Sequence, residues 1–322
     1  MKNALPQSHP TLAVVIPCFN EGELITNTVK EILHTLNKLI QNNVIAPDSF
    51  IYIIDDGSSD DTWIKLQKLK ELHLSAIHGL KFSRNFGHQA ALFAGLKSVK
   101  DKCDVSISID ADLQQDINAI PQFIDQYNNG ADIVFGIRKD RDTDTFFKAK
   151  TALFFYKFMN LCGVNIVPNH ADYRLISKRV LQVLAEFNEP NLFLRAVCNN
   201  LGFQTAKVSF DVSPRTIGES KYSLKKMLSL ALQGVLSFSI VPLRFIALLG
   251  VFIFTISLIM SIYVLVQALL IGNTTPGWAS TVLPIYLIGG LQIFCMGIIG
   301  EYLGQIYSTS KKRPNFIIEE EI

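Results

Sequence analysis

The sequence predicts an α/β fold: a cytosolic N-terminal domain on a mostly parallel, Rossmann-like sheet, then an interfacial helix region and two transmembrane helices. Three observations carry this. Short apolar runs alternate with helical patterns from residue 11 to residue 136, the pattern of β-α-β units joined by right-handed crossovers. Those runs end in polar, Asp-rich loops. Two long segments, Phe245 to Ile271 and Thr281 to Gly300, contain no charged residue.

Thr11–Pro17 is continuously apolar, as expected of a strand buried on both faces. Cys18-Phe-Asn-Glu-Gly22 follows as a loop. A helix is expected from about Glu23 to Ile40, with Ile25, Val29, Ile32, Leu33 and Leu36 on one face. Phe50–Ile54 is the second strand and ends in Asp55-Asp-Gly-Ser-Ser-Asp-Asp-Thr62. Asp60 suits the N-cap of a helix over 62–72. Ile77–Phe82 reads as the third strand, before Ser83-Arg-Asn-Phe-Gly-His88 and a helix over 90–99. Val105–Ile109 is the fourth strand, 117–128 a helix and Asp132–Gly136 the fifth strand. Beyond it, 143–161 is aromatic and helical, 169–174 a polar turn, 175–187 and about 191–201 helices, and about 205–212 a strand. Pro214–Tyr222 is a basic, Gly-containing loop.

The 322 residues are 49% hydrophobic with a net charge of +2 and a mean hydropathy of +0.27. That is too apolar for an ordinary soluble domain and gives no reason to expect a nucleic-acid partner. The five cysteines are scattered, without paired or metal-type spacing, and read as reduced core residues. Met1 to Pro10 is polar and unlike a signal peptide. No G-x-G-x-x-G follows the first strand, which argues against a dehydrogenase.

The centre of the sequence is Ile107-Ser-Ile-Asp-Ala-Asp-Leu-Gln-Gln-Asp116. Side chains i and i+2 of a strand share a face. Asp110 and Asp112 are therefore expected to aim at one spot beyond the strand's C-terminal edge, where ligands of open α/β sheets bind. Hard oxygen donors there suit Mg²⁺ or Mn²⁺ carrying a substrate's phosphates.

A hydrocarbon core needs about 20 apolar helical residues, so spans are expected over about 245–271 and 281–303. Pro284 falls in the first turn of the second span, and Trp278 of the connecting loop suits the interface. Lys221, Lys225, Lys226 and Arg244 precede the first span; Lys311, Lys312 and Arg313 follow the second; the loop between has no basic residue. The positive-inside rule then puts the N-terminal domain and both termini in the cytoplasm, in a multi-pass protein of the inner (plasma) membrane. Residues 224–241 are expected to lie along the headgroups. The resulting division is an N-terminal tail (1–10), the sheet domain (11–221), the juxtamembrane region (222–242), the two-helix membrane part (243–307) and a cytosolic tail (308–322). Gly289, Gly290, Gly297 and Gly300 offer a small-residue face for a homo-oligomer.

Val14-Val-Ile-Pro-Cys-Phe-Asn-Glu21, Ile54-Asp-Asp-Gly-Ser-Ser-Asp-Asp-Thr62, Ser83-Arg-Asn-Phe-Gly-His88 and Asp110-Ala-Asp-Leu-Gln114 resemble family-2 glycosyltransferases in order and spacing. Arg138-Lys-Asp-Arg141, Ala171-Asp-Tyr-Arg-Leu175 and Gly218-Glu-Ser-Lys-Tyr222, with two C-terminal spans, narrow the resemblance. It points to bacterial polyisoprenyl-phosphate glycosyltransferases, relatives of dolichyl-phosphate mannose synthase. The resemblance implies a GT-A fold and transfer of a sugar from a nucleotide sugar, here UDP-glucose, to undecaprenyl phosphate for cell-envelope glycan modification. It implies that Pro17, Asn20 and Glu21 line the nucleoside pocket and that Asp56 bonds the base. Arg84 and Asn85 lie near nucleotide or sugar. Asp110, Asp112 and Gln114 hold metal and diphosphate, and Asp172 sits at the sugar's reacting face. Arg138, Arg141, Arg215, Ser220 and Lys221 grip phosphates. Gln115-Asp116 stands where relatives often read Asp-Pro, which opens the role of Asp116.

His88 is expected to cap or pack at a helix start, Arg195 to be structural, and Asp55 and Asp60 to fix a turn. Two other functions remain open. One is a processive polysaccharide synthase, against which stand the missing Gln-x-x-Arg-Trp and the two spans. The other is a non-catalytic membrane scaffold, against which stand the clustered carboxylates.

Overall fold

The computed structural model describes residues 9–138, 170–187, 194–211, 241–266, 277–311 and 313–322. The chain divides into two units. One comprises 1–156, 165–222 and 312–322; the other comprises 157–164 and 223–311.

The first unit is built on an eight-stranded sheet. Its strands are β1 (Leu12–Cys18), β2 (Phe50–Asp55), β3 (Ile77–Phe82), β4 (Val105–Ser108), β5 (Ile133–Arg138), β6 (His170–Ser177), β7 (Thr205–Phe210) and β8 (Ile318–Glu321). Their order is β7-β5-β6-β4-β1-β2-β3-β8. The helices connecting β1 to β4 are α1 (Ile25–Gln41), α2 (Thr62–Leu72) and α3 (His88–Val99); α4 (Ile120–Asn128) precedes β5. Strand β4 pairs parallel with β1, β1 with β2, and β2 with β3, so the loops after these four strands emerge at one edge of the sheet.

Burial explains the helices. Every residue of β1 and β2 is buried, so both faces of the sheet need cover. Helix α1 buries Ile25, Val29, Ile32, Leu33 and Leu36, as its periodicity predicts, together with Thr28 and Leu39. Helix α3 approaches so closely that a Cβ on Gly95 would lie 2.4 Å from Ile54 Cδ1 and 2.5 Å from Val15 Cγ1.

Two expectations need correction. The stretch 169–174 is not a turn: 170–177 form β6, antiparallel to both β4 and β5. The following helix, α5, starts at Lys178 and ends at Ala185, before α6 (Leu194–Asn200). The hydrophobic pattern hides β6 because only one of its faces is apolar. Tyr173 packs on Phe123 and Phe210, while Asp172 and Arg174 are buried and polar. The stretch after the last helix is also more than a tail, since it supplies β8, antiparallel to β3. The sheet is therefore mixed.

In the second unit, α7 (Val241–Val266) has 26 residues and α8 (Trp278–Ser310) has 33. Helix α8 starts earlier than the sequence predicted, which places Pro284 inside it and removes one helical N–H donor. Among the described residues no helix is long and apolar enough to cross a membrane. Several side chains within α7 and α8 lie outside the described set; the two spans remain an expectation from the sequence, in which 245–271 and 281–300 are uncharged. Phe245, Leu248, Val251, Phe252 and Ile259 of α7 and Ile285, Ile293, Phe294 and Met296 of α8 are exposed.

Candidate active site

Four loops meet at the C-terminal edge of β1 to β4, and hydrogen bonds tie the first to the second and the second to the third. Asn20, at φ 54°, donates its N–H to Ser58 Oγ (2.9 Å) and accepts from Ser59 N through Oδ1 (2.9 Å). Glu21 N donates to Thr62 Oγ1 (3.0 Å), and Gly22 N to Asp60 Oδ2 (3.0 Å). Asp60 Oδ1 accepts Thr62 N (3.0 Å), but the N-cap position of α2 falls to Asp61, which makes no side-chain cap bond; Asp60 instead ties the first loop to the second. Asp55 is fully buried and accepts Ser58 N (2.9 Å). Burial raises its pKa against the opposing bonds from Ser58.

Asp56 bonds the backbone of the Ser83–Gly87 loop. Its Oδ1 accepts Phe86 N (2.7 Å) and its Oδ2 accepts Gly87 N (2.9 Å). Gly57, at φ +70°, lets the second loop pass against this one: a Cβ there would lie 2.3 Å from the Arg84 carbonyl carbon. Arg84 rests over the Phe86 ring at 3.9 Å and donates to Asn85 O (2.9 Å).

Strand β4 stops at Ser108, so Asp110 and Asp112 lie in the turn beyond it. Leu113 takes φ 48°, rare for a residue with a Cβ. The turn brings Gln115, rather than Gln114, against Asp110: Gln115 Nε2 donates to Asp110 Oδ2 (2.6 Å), and Asp110 N donates to Gln115 Oε1 (3.1 Å). Gln114 N donates to Asp112 Oδ1 (3.2 Å). Asp116 caps the short helix 117–119 through Asn118 N (2.9 Å), which gives that residue a structural role.

Strand β6, alongside β4, presents Asp172. Ser108 Oγ donates to the Asp172 carbonyl (2.5 Å). The Asp172 carboxylate is clamped by two arginines. Arg174 Nη2 donates to Oδ1, while Arg195 donates Nε to Oδ1 (3.1 Å) and Nη2 to Oδ2 (2.9 Å). His88 Nε2 lies 3.6 Å from Asp172 Oδ2 and 3.7 Å from Asp110 Oδ1, so one imidazole stands between the two carboxylates. Burial alone raises the Asp172 pKa, but the charge of Arg195, the His88 contact and the charge of Arg174 outweigh it and hold the group well below the usual range. Burial raises Asp110, partly offset by His88. His88 is lowered by burial, yet its contacts with Asp172 and Asp110 leave it above the ordinary imidazole value.

The structure thus gathers Asp110, Asp112 and Asp172 at one strand edge, with Arg84 and Asn85 on the loop that Asp56 holds. His88, Arg174, Arg195 and Gln115 join them unforeseen. Arg174 was readable in principle: in Asp172-Tyr-Arg174 the two charges share a face of a strand, by the alternation applied to Asp110 and Asp112. Arg138 ends β5 and is exposed. Arg141, Arg215, Ser220 and Lys221 lie outside the described residues.

Residues 13–184 match the model of glycosyl transferase family 2. The chain belongs to this family. Residues 241–306 of the glycosyltransferase match a second model, the GtrB C-terminal hairpin. It is 46% identical over 315 residues to the uncharacterized glycosyltransferase YkoT of Bacillus subtilis (strain 168), covering 98% of this chain and 93% of that one. It is 37% identical to the bactoprenol glucosyl transferase of Shigella phage SfV, with 96% and 98% covered. To the prophage bactoprenol glucosyl transferase homolog of Escherichia coli (strain K12) it is 35% identical, again with 96% and 98% covered. Together these make it a glycosyltransferase of the polyisoprenyl-phosphate type.

Among the described residues no three His, Cys, Asp or Glu side chains of the glycosyltransferase are grouped to hold a metal. The donors present still fit one class of ion. Mg²⁺ and Mn²⁺ favour oxygen and bind through one or two carboxylates plus substrate phosphates. Asp110 and Asp112, both only partly buried, supply two.

Proposed function

We propose that the enzyme transfers glucose from UDP-glucose to undecaprenyl phosphate at the cytosolic face of the plasma membrane, with inversion at the anomeric carbon. The relatives named for bactoprenol glucosyl transfer support this acceptor and sugar over nearly the whole chain. The observation that carries the chemistry is the clamped Asp172.

A phosphate monoester has a second pKa of about 6 and is largely dianionic at neutral pH, so the acceptor oxygen needs little help from a base. Asp172 is poorly suited to be one, because Arg174 and Arg195 occupy both its oxygens and hold it anionic. It suits instead the positive charge that develops on the sugar as the bond to the UDP oxygen breaks. The acceptor oxygen attacks from the opposite face, giving a β-linked lipid sugar from an α-linked donor. Mg²⁺ or Mn²⁺ on Asp110 and Asp112, with Gln114 nearby, would neutralise charge on the departing diphosphate. Pro17, Asn20, Glu21, Asp56, Arg84 and Asn85 are assigned to the nucleotide and sugar. Arg138, Arg141, Arg215, Ser220 and Lys221 are assigned to phosphates, where Arg offers a fork of donors.

The membrane assignment rests on the uncharged helices and the basic residues flanking them. Strand β8 (Ile318–Glu321), after the two helices, pairs with β3 of the sheet before them, which favours an even number of crossings.

The test uses purified enzyme in detergent with Mg²⁺ or Mn²⁺, undecaprenyl phosphate and a panel of radiolabelled nucleotide sugars. Label is expected to enter the organic phase from UDP-glucose and to be lost with EDTA or Asp112→Ala. Absence of lipid label from every donor, in folded protein that binds nucleotide, would overturn the proposal.

A further inference from the structure

The Ser83–Gly87 loop is held on two sides. On the inner side Asp56 takes the N–H groups of Phe86 and Gly87. On the outer side lies the end of the chain. Strand β8 pairs with β3 as Leu80↔Glu321, Lys81↔Glu320 and Phe82↔Ile318, with a register shift between Lys81 and Phe82. Bulges of this kind re-aim a strand end, often beside an active site. Here the shift lets Ile317 O accept Ser83 N (3.0 Å), at the residue where the loop leaves the strand. Phe316 extends past β8 and stacks on Phe82, with ring centroids 5.1 Å apart and planes at 15°. A second aromatic neighbour of Phe82 is Phe86, edge-on at 5.6 Å. An aromatic relay thus runs Phe316–Phe82–Phe86, and it ends on the amide that Asp56 binds.

The segment is anchored independently of that relay. Trp63 Nε1 and Gln67 Nε2 both donate to Glu320 (2.7 Å each), Lys81 pairs with Glu319 (2.9 Å), and Ile322 exchanges two backbone bonds with Gly79 (2.9 and 3.1 Å). Covering the sheet edge requires only β8. Phe316 and Ile317, outside the strand, reach the root of the loop.

We infer that residues 316–322 position the active site, with Phe316 as the positioning residue that holds the Ser83–Gly87 loop, and so Arg84 and the adjoining His88, in place. Phe316 itself touches no substrate. The catalytic consequence rests on the glycosyltransferase reading above; the mechanical one does not.

The test compares the full-length enzyme with Phe316→Ala and Phe316→Tyr. Amide hydrogen exchange at Phe86 and Gly87 reads the loop directly. Steady-state transfer from UDP-glucose reads its effect, since a small misplacement near the chemistry lowers turnover by about tenfold or more. In Phe316→Ala, exchange at Phe86 and Gly87 is expected to rise about tenfold while Val14 and Ile107 stay protected. Turnover (kcat) should fall about tenfold with the donor KM within about twofold. Phe316→Tyr, which keeps the ring, should restore both. Unchanged protection at Phe86 and Gly87 would overturn the inference, as would a turnover loss explained by fewer folded molecules. If the alanine variant folds poorly, Phe316→Leu, which keeps the apolar volume without the stacked ring, is read against the same outcomes. A wild-type enzyme that transfers no sugar would sink the function while the exchange data still judged the relay.

Discussion

Asp172 is 8% exposed and Arg174 1%, a degree of burial that charged side chains reach almost only as partners. Breaking such a pair by removing one member typically costs about 3–5 kcal/mol, because the other is left buried and uncompensated; replacing both with apolar groups is often close to neutral. Asp172→Ala should therefore destabilise the fold by about 3–5 kcal/mol, and Asp172→Ala with Arg174→Met should regain most of it. Arg174 also contacts Cys198 Sγ (3.6 Å), which Met can replace by packing. Thermal unfolding of both variants beside wild type checks this; a double variant no better than the single one would mean that the pair is not what holds Asp172 in place. Neither variant should transfer sugar, since the rescue restores packing and not the carboxylate. Stability and catalysis are thereby separated at one residue.

At the scale of elements, the strands buried on both faces were legible because continuous apolar runs have few other uses. That covers β1, β2 and β4 and, through α1, the helix on one side of the sheet. Strand β6 was hidden because its polar face serves the site, and β8 because Ile-Glu-Glu-Glu alternates nothing. The site divides the same way. Asp110 and Asp112 were readable from their place after an apolar strand, whereas His88 and Arg195 acquire meaning only from partners 22 or more residues away that the fold brings to them. The Gln115–Asp110 bonds were not legible, because nothing in the local sequence reveals the positive φ of Leu113. Gly95 looks like an ordinary helical glycine, yet its missing Cβ sets how closely α3 lies on β1 and β2. Gly95→Ala gains helix propensity of up to about 1 kcal/mol, but it drives a methyl into Ile54 and Val15, and overpacking costs typically 1–3 kcal/mol, roughly. The clash should win in part, giving a lower melting temperature. A variant more stable than wild type would show that α3 can slide outward freely.

For the whole molecule, the decisive fact is the return of the chain. Helices α7 and α8 would extend roughly 39 Å and 50 Å at 1.5 Å per residue, against a hydrocarbon core of about 30 Å. Under the proposed topology each would cross once, and the apolar side chains they expose would face lipid rather than water. A single crossing would leave residues 313–322 on the wrong side of the membrane from β3, and β8 could not pair within the same chain. Two crossings, as proposed, would put the connection between the helices outside and both ends of the pair with the sheet. In a background with the five native cysteines replaced, Asn273→Cys should react with an impermeant maleimide on intact cells. Lys68→Cys, at an exposed position of α2, should react only after permeabilisation. If both react only after permeabilisation, the hairpin enters the membrane without crossing it and the proposed topology fails, although β8 stays possible. If Asn273→Cys is labelled from outside, the same two crossings that meet the lipid acceptor also return the chain end to the edge of the sheet, beside the loop that carries Arg84.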